Sequence, residues 1–562
     1  MINARGCIGS VRVCLDSKEL ADGTTVVAVT PRLATIAPRL GGERGGLDVT
    51  VEIDLSDVGA TEVYLHGYGT GSGGRCVEVS TLTESAATSG AGHQMVALVQ
   101  GAGVLTVEVH DHRDFATTLK VWRGSAGLKV QVSFDVAGPD SVMAVPTVFV
   151  RTAATLNEAL SEFAGDTATE MQARRPERPM RVWCSWYYNY QNFCQTTLLE
   201  YLDGFLRLPA DQRPEVVQID AGNCTSLGDW MSPNHLWVSG LEAAAALIRR
   251  KGFRAGIWIG PFMVGNRSEV FRRHPDWMLH DSTGKRVVEM SMYGEQRLWG
   301  RIDEEIYILD SSHPEAFEYM RGVFAALRGM GFDYFKTDFM YWGYRSSRGV
   351  RRGVGGKTGT QYFRDFLAMV RREIGSESTW LACIAPFAPF IGYADAMRVG
   401  GDVVPDWGEK SPNSDLVRLL PNIAFANGVW WLNDPDAVLL RDFHTSLSPA
   451  EAKAISFWQG LHAGILNTSD PIHEMGAERR AWWEEMCRFG PRPAVPFRLN
   501  TPGLLGVQRR ISADGVAPVD VLAILNPSAT ETRTATVQWP GDELKVVTVG
   551  PHSLEILRSD GL

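Results

Sequence analysis

The feature that most constrains this chain is a strand–helix rhythm through its middle. Val216-Val217-Gln218-Ile219 is a short apolar run of the kind that forms a buried strand. A helix follows from Gly240 to Lys251, with Leu241, Ala244, Ala245 and Ile248 on one face and Gly252 placed to end it. The next strand is Ala255–Ile259. The unit recurs further on. Tyr307–Leu309 reads as a strand, and Ser312 and Pro314 open a helix with the stripe Phe317, Met320, Phe324 and Leu327. Gly331 closes that helix, and Tyr334–Thr337 is the next strand. No G-x-G-x-x-G follows a strand, so the alternation predicts an α/β chain built on a (β/α)8 TIM barrel rather than an open nucleotide-binding sheet.

The flanks change period. Val49–Leu55, Val104–Val109, Leu128–Phe134 and Thr147–Val150 are short strands bounded by turn residues, followed by a helix over Thr155–Met171. Val521–Leu525 and Leu544–Val549 restore the strand pattern near the end. The charged, proline-bearing stretch Arg174–Pro179 marks a boundary. The expected division is an N-terminal β-sandwich with linker helix (1–175), the barrel (176–488) and a small C-terminal antiparallel β-sandwich (489–562).

Composition narrows function. Lys and Arg number 55 against 65 Asp and Glu, and the net charge of −10 has the wrong sign for a nucleic-acid or anionic-membrane binder. No apolar stretch is long enough to span a bilayer, and the first residues, Met1–Cys7, lack the apolar run of a secretory signal. The eight cysteines form no C-x-x-C pair, which fits free thiols in a reducing cytoplasm. Of 17 tryptophans, 15 fall between Trp183 and Trp483. That concentration fits either a large aromatic core or indole faces that stack on sugar rings.

Catalytic groups of a barrel sit at the C-terminal ends of its strands. That rule selects Asp220, Asp310, Asp338, Asp402, Asp434 and Asp436. Converging acids beside aromatics suit glycosidic chemistry, which needs one carboxylate as nucleophile and one carboxyl as proton donor. Each could instead cap a helix or brace a loop.

From Val182 to Asp470 the chain resembles the barrel of the melibiase-type α-galactosidases, clan D, glycoside hydrolase families 36 and 27. Gln218-Ile219-Asp220 with Gly228-Asp229-Trp230 is similar to I-D-D-G-W…G-D-W. Gly256–Val264, Ser268 and His274-Pro275-Asp276-Trp277 resemble G-L-W-x-E-P-E-M-V…S…H-P-D-W. Leu309-Asp310 and Tyr334–Asp338 resemble L-D and Y-x-K-x-D. Arg398–Asp402, with Asp406 and Trp407, resembles R-x-x-x-D, and Asn433–Asp436 resembles N-D-P-D. Leu65-His66-Gly67-Tyr68 and Gly550–Leu557 resemble flanking β-domain segments.

The resemblance implies a retaining exo-α-glycosidase that hydrolyses terminal α-linked sugars by double displacement. Asp338 would be the nucleophile and Asp402 the acid/base, its pKa raised by burial or a neighbouring carboxylate. Asp220, Lys336, Arg398 and Asp406 would bind sugar, and Trp186 and Trp258 would wall the site. The implied partner is an α-glycoside or oligosaccharide, with no nucleic acid, membrane, metal or organic cofactor, and homo-oligomerisation is left open. Transglycosylation, a different sugar and a non-catalytic sugar-binding barrel are the alternatives.

Departures stand beside the matches. Ala221 occupies the place of a second acid, and Gly260 and Phe262 those of the two glutamates of E-P-E. Cys383–Phe390 makes one wall apolar. These changes predict retained chemistry with an altered sugar pocket. The loop with Arg345, Arg348, Arg351, Arg352 and Lys357 contains no acid; it reads as a solvated loop, with an anion-binding overhang as the sharper alternative. Gly353–Thr358 imitates the end of a phosphate loop but lacks its first glycine, Arg351 standing there. His110-Asp111-His112 is read as a surface strand rather than a metal pair.

Overall fold

The computed structural model describes residues 13–16, 39–40, 47–55, 58–83, 90–101, 103–125, 127–138, 145–176, 178–292, 304–408, 410–489, 493–511, 518–539 and 543–560. Its centre is a parallel sheet of eight strands: β1 Met180–Cys184, β2 Val216–Ile219, β3 Arg254–Ile259, β4 Tyr334–Thr337, β5 Thr379–Ala382, β6 Ala396–Arg398, β7 Leu432–Asp434 and β8 Ile465–Thr468. Neighbours pair in chain order, as in Gln218↔Gly256, Trp258↔Lys336 and Arg398↔Asp434. β1 also pairs with β8, at Val182↔Asn467. A short ninth strand, Ala437–Val438, joins β8 on its free side, so the two sheet edges lie two residues apart in the chain. The sheet therefore curls back on itself into a TIM-barrel-like α/β fold. At that seam Asp436 adopts a φ of 78°.

The period of two along each strand explains how the barrel interior changes character. Val182, Val216, Tyr334, Leu381, Ala396, Leu432 and Ile465 form one buried cluster. Two residues on, towards the C-terminal ends, the same faces carry Cys184, Gln218, Lys336, Cys383, Arg398, Asp434 and Asn467, all buried. The floor is thus mainly apolar and the mouth polar. Helices close the outside. Gly359–Ile374 begins with a capping box between Thr358 and Gln361, and Pro449–His462 with one between Ser448 and Glu451.

One strand expected in the barrel lies outside it. The segment around Tyr307, observed as Glu304–Ile308, pairs antiparallel with Met263–Gly265 and Val288–Met292. A short run with flanking turns marks a strand but not its partner, because pairing is set by long-range register.

Before the barrel, a six-stranded and a five-stranded sheet, largely antiparallel, share one core that includes Ile53, Val63, Val107 and Val130. The helix Leu156–Glu170, capped by Thr155, links them to the barrel, and Trp430 donates its indole N–H to Ala164 O at 2.9 Å. His110 and His112 are buried, against the surface strand expected; His110 stacks on Phe149 at 4.6 Å, and the His112 backbone N–H meets Met171 Sδ at 3.3 Å. After the barrel, Val495–Phe497, Leu505–Ile511, Val519–Asn526 and Ser553–Arg558 form one sheet, and Arg533–Trp539 pairs with Glu543–Val549. No helix among the described residues is long and apolar enough to cross a membrane.

Candidate active site

Three acidic centres meet at the C-terminal mouth of the barrel. Asp338 follows β4 and is 7 % exposed. One of its oxygens accepts the Trp258 indole N–H at 3.0 Å, and the other accepts the Phe339 N–H at 2.8 Å. Phe339 holds a left-handed backbone (φ 55°), a costly conformation for an aromatic residue that turns this amide onto the carboxylate. Burial raises the Asp338 pKa, Lys336 and the Trp258 bond oppose that rise, and the charge of Asp402 adds to it.

Asp220, at the end of β2, takes Lys336 Nζ at 3.0 Å, Gln218 Nε2 at 2.6 Å and Cys184 Sγ at 3.2 Å on one oxygen. Its other oxygen accepts the Ala221 N–H at 2.8 Å. Burial works against the charge on Lys336, yet Asp220, the neighbouring thiols and Asp338 hold its pKa well above the usual lysine range. Asp220 is thus first a counter-ion for Lys336.

Arg398, at the end of β6 and 1 % exposed, binds the third centre. Its Nη2 donates to Asp402 at 2.8 Å, to the Tyr187 hydroxyl at 2.9 Å and to Asp436 in a short contact. Tyr187 can give its proton to Asp402 at 3.2 Å or to Asp436. The Asp402 side chain is 64 % exposed, so the burial expected of it is absent. That burial falls on Asp436, whose carboxyl is pushed up to about 7 by desolvation, against the pull of Arg398 and with the help of Asp402 and Asp434. The discrepancy has a backbone cause: Asp402 lies four residues beyond the end of β6, whereas Asp436 sits in the seam between β7 and β8.

The remaining candidates divide. Trp258 is 3 % exposed and serves Asp338 as a hydrogen-bond donor rather than offering a face. Trp186 opens a short helix after β1, is only partly buried, and meets Tyr190 edge-on at 5.4 Å. Asp406 is exposed and accepts from Gly408 N in its own turn. The next residue, Trp407, stacks on His552 of the last sheet at 4.2 Å and 3°. Asp310 braces a loop: it accepts from Gly353 N at 2.6 Å and lies 3.8 Å from Arg352. The basic loop draws its acids from elsewhere in the chain. Arg345 meets Glu289 at 2.5 Å, Arg348 meets Asp135 at 3.1 Å, and Lys357 meets Asp365 at 2.5 Å. Tyr187 and the pairing role of Asp436 were not singled out from sequence; the neighbouring Trp186 and the N-D-P-D segment were the available signals.

The melibiase family pattern matches residues 174–343, the stretch that supplies β1 to β4, Asp220, Lys336 and Asp338. Over those residues the chain is similar to the melibiases. An α-galactosidase AgaA of Geobacillus stearothermophilus is 32% identical to this chain over 114 residues, 19% of this chain and 15% of that protein. An α-galactosidase of Escherichia coli is 34% identical over 114 residues, 20% of this chain and 14% of its own length. The aligned sequence is thus a small part of both relatives. The structure of TtGalA, an α-galactosidase from Thermus thermophilus in complex with p-nitrophenyl α-D-galactopyranoside, superposes with a TM-score of 0.64 at 25% identity, covering 83% of this chain and 93% of that one. A form of AgaA in complex with 1-deoxygalactonojirimycin superposes at 0.61 and 16% identity, over 92% of this chain and 78% of its own, and shares the fold.

Proposed function

We propose that this chain is a retaining, exo-acting α-glycosidase of the α-galactosidase type. The observation that carries the reading is a pair of electrostatically coupled carboxylates in unlike settings at the barrel mouth. Asp338 is buried and fixed by two donors, while Asp402 is exposed and tethered by Arg398. In the first step the Asp338 carboxylate attacks the anomeric carbon. The bond to the leaving oxygen breaks as Asp402 protonates it, and a glycosyl ester forms on Asp338. In the second step Asp402 takes a proton from water, the water oxygen attacks the anomeric carbon, and Asp338 is released. Lys336 keeps donors free after binding Asp220 and, with Arg398, faces sugar hydroxyls. Trp186 offers a partly open indole at the rim, and Asp406 would reach the sugar only from its exposed turn.

The names of AgaA and the Escherichia coli relative, and the galactoside bound to TtGalA, support a terminal α-galactoside as the first substrate to try. Ala221 supplies no side-chain acceptor, which favours testing other sugars alongside. The paired sheets on either side of the barrel support β-sandwich domains over 1–175 and 489–562, flanking a (β/α)8 barrel over 176–488. The free thiols at Cys76, Cys184, Cys194, Cys224, Cys383 and Cys487 support a reducing, cytoplasmic setting.

A panel of aryl α-glycosides (galactose, glucose, arabinose, N-acetylgalactosamine) tests the reading. At least one is turned over by the intact protein, and Asp338→Ala abolishes that turnover. Azide then restores it with a product of inverted anomeric configuration. Full activity in Asp338→Ala, or no turnover of any member, overturns the reading.

A further inference from the structure

We propose that Thr70 is a positioning residue for the acid/base side of the site, so that the N-terminal sheet completes the barrel's mouth. The inference rests on the reading of Asp402 and Arg398 given above. Thr70 lies in the connection between the strands Glu62–His66 and Gly74–Glu78, far from the barrel in sequence. Its hydroxyl donates to the backbone carbonyl of Arg398 at 2.7 Å and accepts the Ala385 N–H at 3.1 Å. One side-chain oxygen thereby ties the end of β6 to the segment that follows β5.

The backbone around it adds a strand-like seam. Thr70 N donates to Ala385 O at 3.0 Å, Gly71 N to Val399 O at 3.2 Å, and Phe387 N to Tyr68 O at 2.9 Å. Tyr341, three residues beyond Asp338, donates its hydroxyl to Thr70 O at 3.2 Å and stacks on Tyr68 at 5.2 Å. Glycine at 69 allows this approach, since a Cβ there would stand 2.1 Å from Ala385 O.

The mechanical consequence follows from where Arg398 leads. Its carbonyl is held by Thr70 and its guanidinium holds Asp402. A shift of that backbone moves the cation relative to the carboxylate, and sub-ångström misplacement of a catalytic group costs rate more than it costs binding. Thr70 touches no reacting atom; it acts through Arg398.

Thr70→Val keeps the shape and removes the hydroxyl, and Thr70→Ser keeps the hydroxyl. Hydrogen exchange needs no turnover and reads the seam directly: amides in 383–387 and 398–403 exchange roughly fivefold or more faster in Thr70→Val, as expected when both hydrogen bonds of that hydroxyl are lost, and not in Thr70→Ser. On the aryl α-glycoside that the intact protein cleaves, kcat falls roughly tenfold in Thr70→Val with KM within about twofold, and Thr70→Ser restores it. Should Thr70→Val not fold, Thr70→Ala is judged by the same two readouts. Unchanged exchange in both segments, or a wild-type kcat in a variant lacking the hydroxyl, overturns the proposal. If the intact protein cleaves no α-glycoside, the functional reading falls, and the exchange result still decides whether Thr70 holds the Arg398 backbone.

Discussion

At the scale of single residues, the site is a set of charges placed so that each carboxylate has a different neighbour. Asp338 has Trp258 and a backbone amide, Asp220 has Lys336, and Asp402 shares Arg398 with Asp436. A nucleophile must be ionised. In the proposed role Asp338 must be charged, and since burial raises its pKa, the acid limb of activity is expected at a higher pH than an ordinary aspartate would set. Trp258→Phe removes a donor that favours the ionised form, so the acid limb of kcat/KM moves further up and kcat drops roughly tenfold. A pH–rate profile of the variant that overlays the wild type would refute this account. Tyr187→Phe deletes the buried hydroxyl between Arg398, Asp402 and Asp436, and is expected to lower kcat and to reduce stability by about 1–3 kcal/mol, read from the urea midpoint.

At the scale of elements, the strand period places the chemistry. Moving two residues along β2, β4, β6 and β7 turns Val216, Tyr334, Ala396 and Leu432 into Gln218, Lys336, Arg398 and Asp434 on the same inward faces. β3 contributes Gly256 beside Gln218, where an added Cβ would stand 2.9 Å from the Gln218 Cβ and 3.0 Å from its Cα. Gly256→Ala is therefore expected to push β2 and β3 apart and destabilise the fold by about 1–3 kcal/mol. Urea unfolding measures it, and an unchanged midpoint would show that the strands yield freely.

At the scale of the whole molecule, three buried histidines tie stability to pH. Burial lowers His66 and His112 from 6.5 to about 3 and His462 to about 4, against the bonds that His66 makes to Gln94 and His462 to Trp458 O. The folded form therefore binds fewer protons than the unfolded chain over this range. These groups contribute stability that is fully present above about 6.5 and is lost as pH falls towards 3–4. The melting temperature should fall from pH 7 to pH 4.5 well before most carboxylates are protonated; a flat profile there would exclude the mechanism. His66 packs within 5.8 Å of Trp430, so acid is expected to loosen the junction between the N-terminal sheets and the barrel.

Local chemistry left a clear trace in the sequence. The periodicity of Gly240–Lys251 and the glycines at 252 and 331 identify helices and their ends, because these are fixed by contacts within a few residues, whereas the Y-x-K-x-D run marked Asp338 with Lys336 through its resemblance to the family pattern. The tryptophan concentration marked the barrel. Trp183, Trp237, Trp380, Trp430, Trp431, Trp458 and Trp483 are fully buried, and Trp230, Trp258, Trp277, Trp342, Trp407 and Trp482 are buried as well, so most of that signal is core and little of it is sugar platform. What the sequence left open are questions of long-range pairing. Only the tertiary structure moved the strand at Tyr307 out of the barrel, left Asp402 in solvent while burying Asp436, supplied distant acids to the basic loop and brought Thr70 to the backbone of Arg398. Each of these depends on which segments meet across the fold, and such meetings are decided by register and packing between residues far apart in the chain.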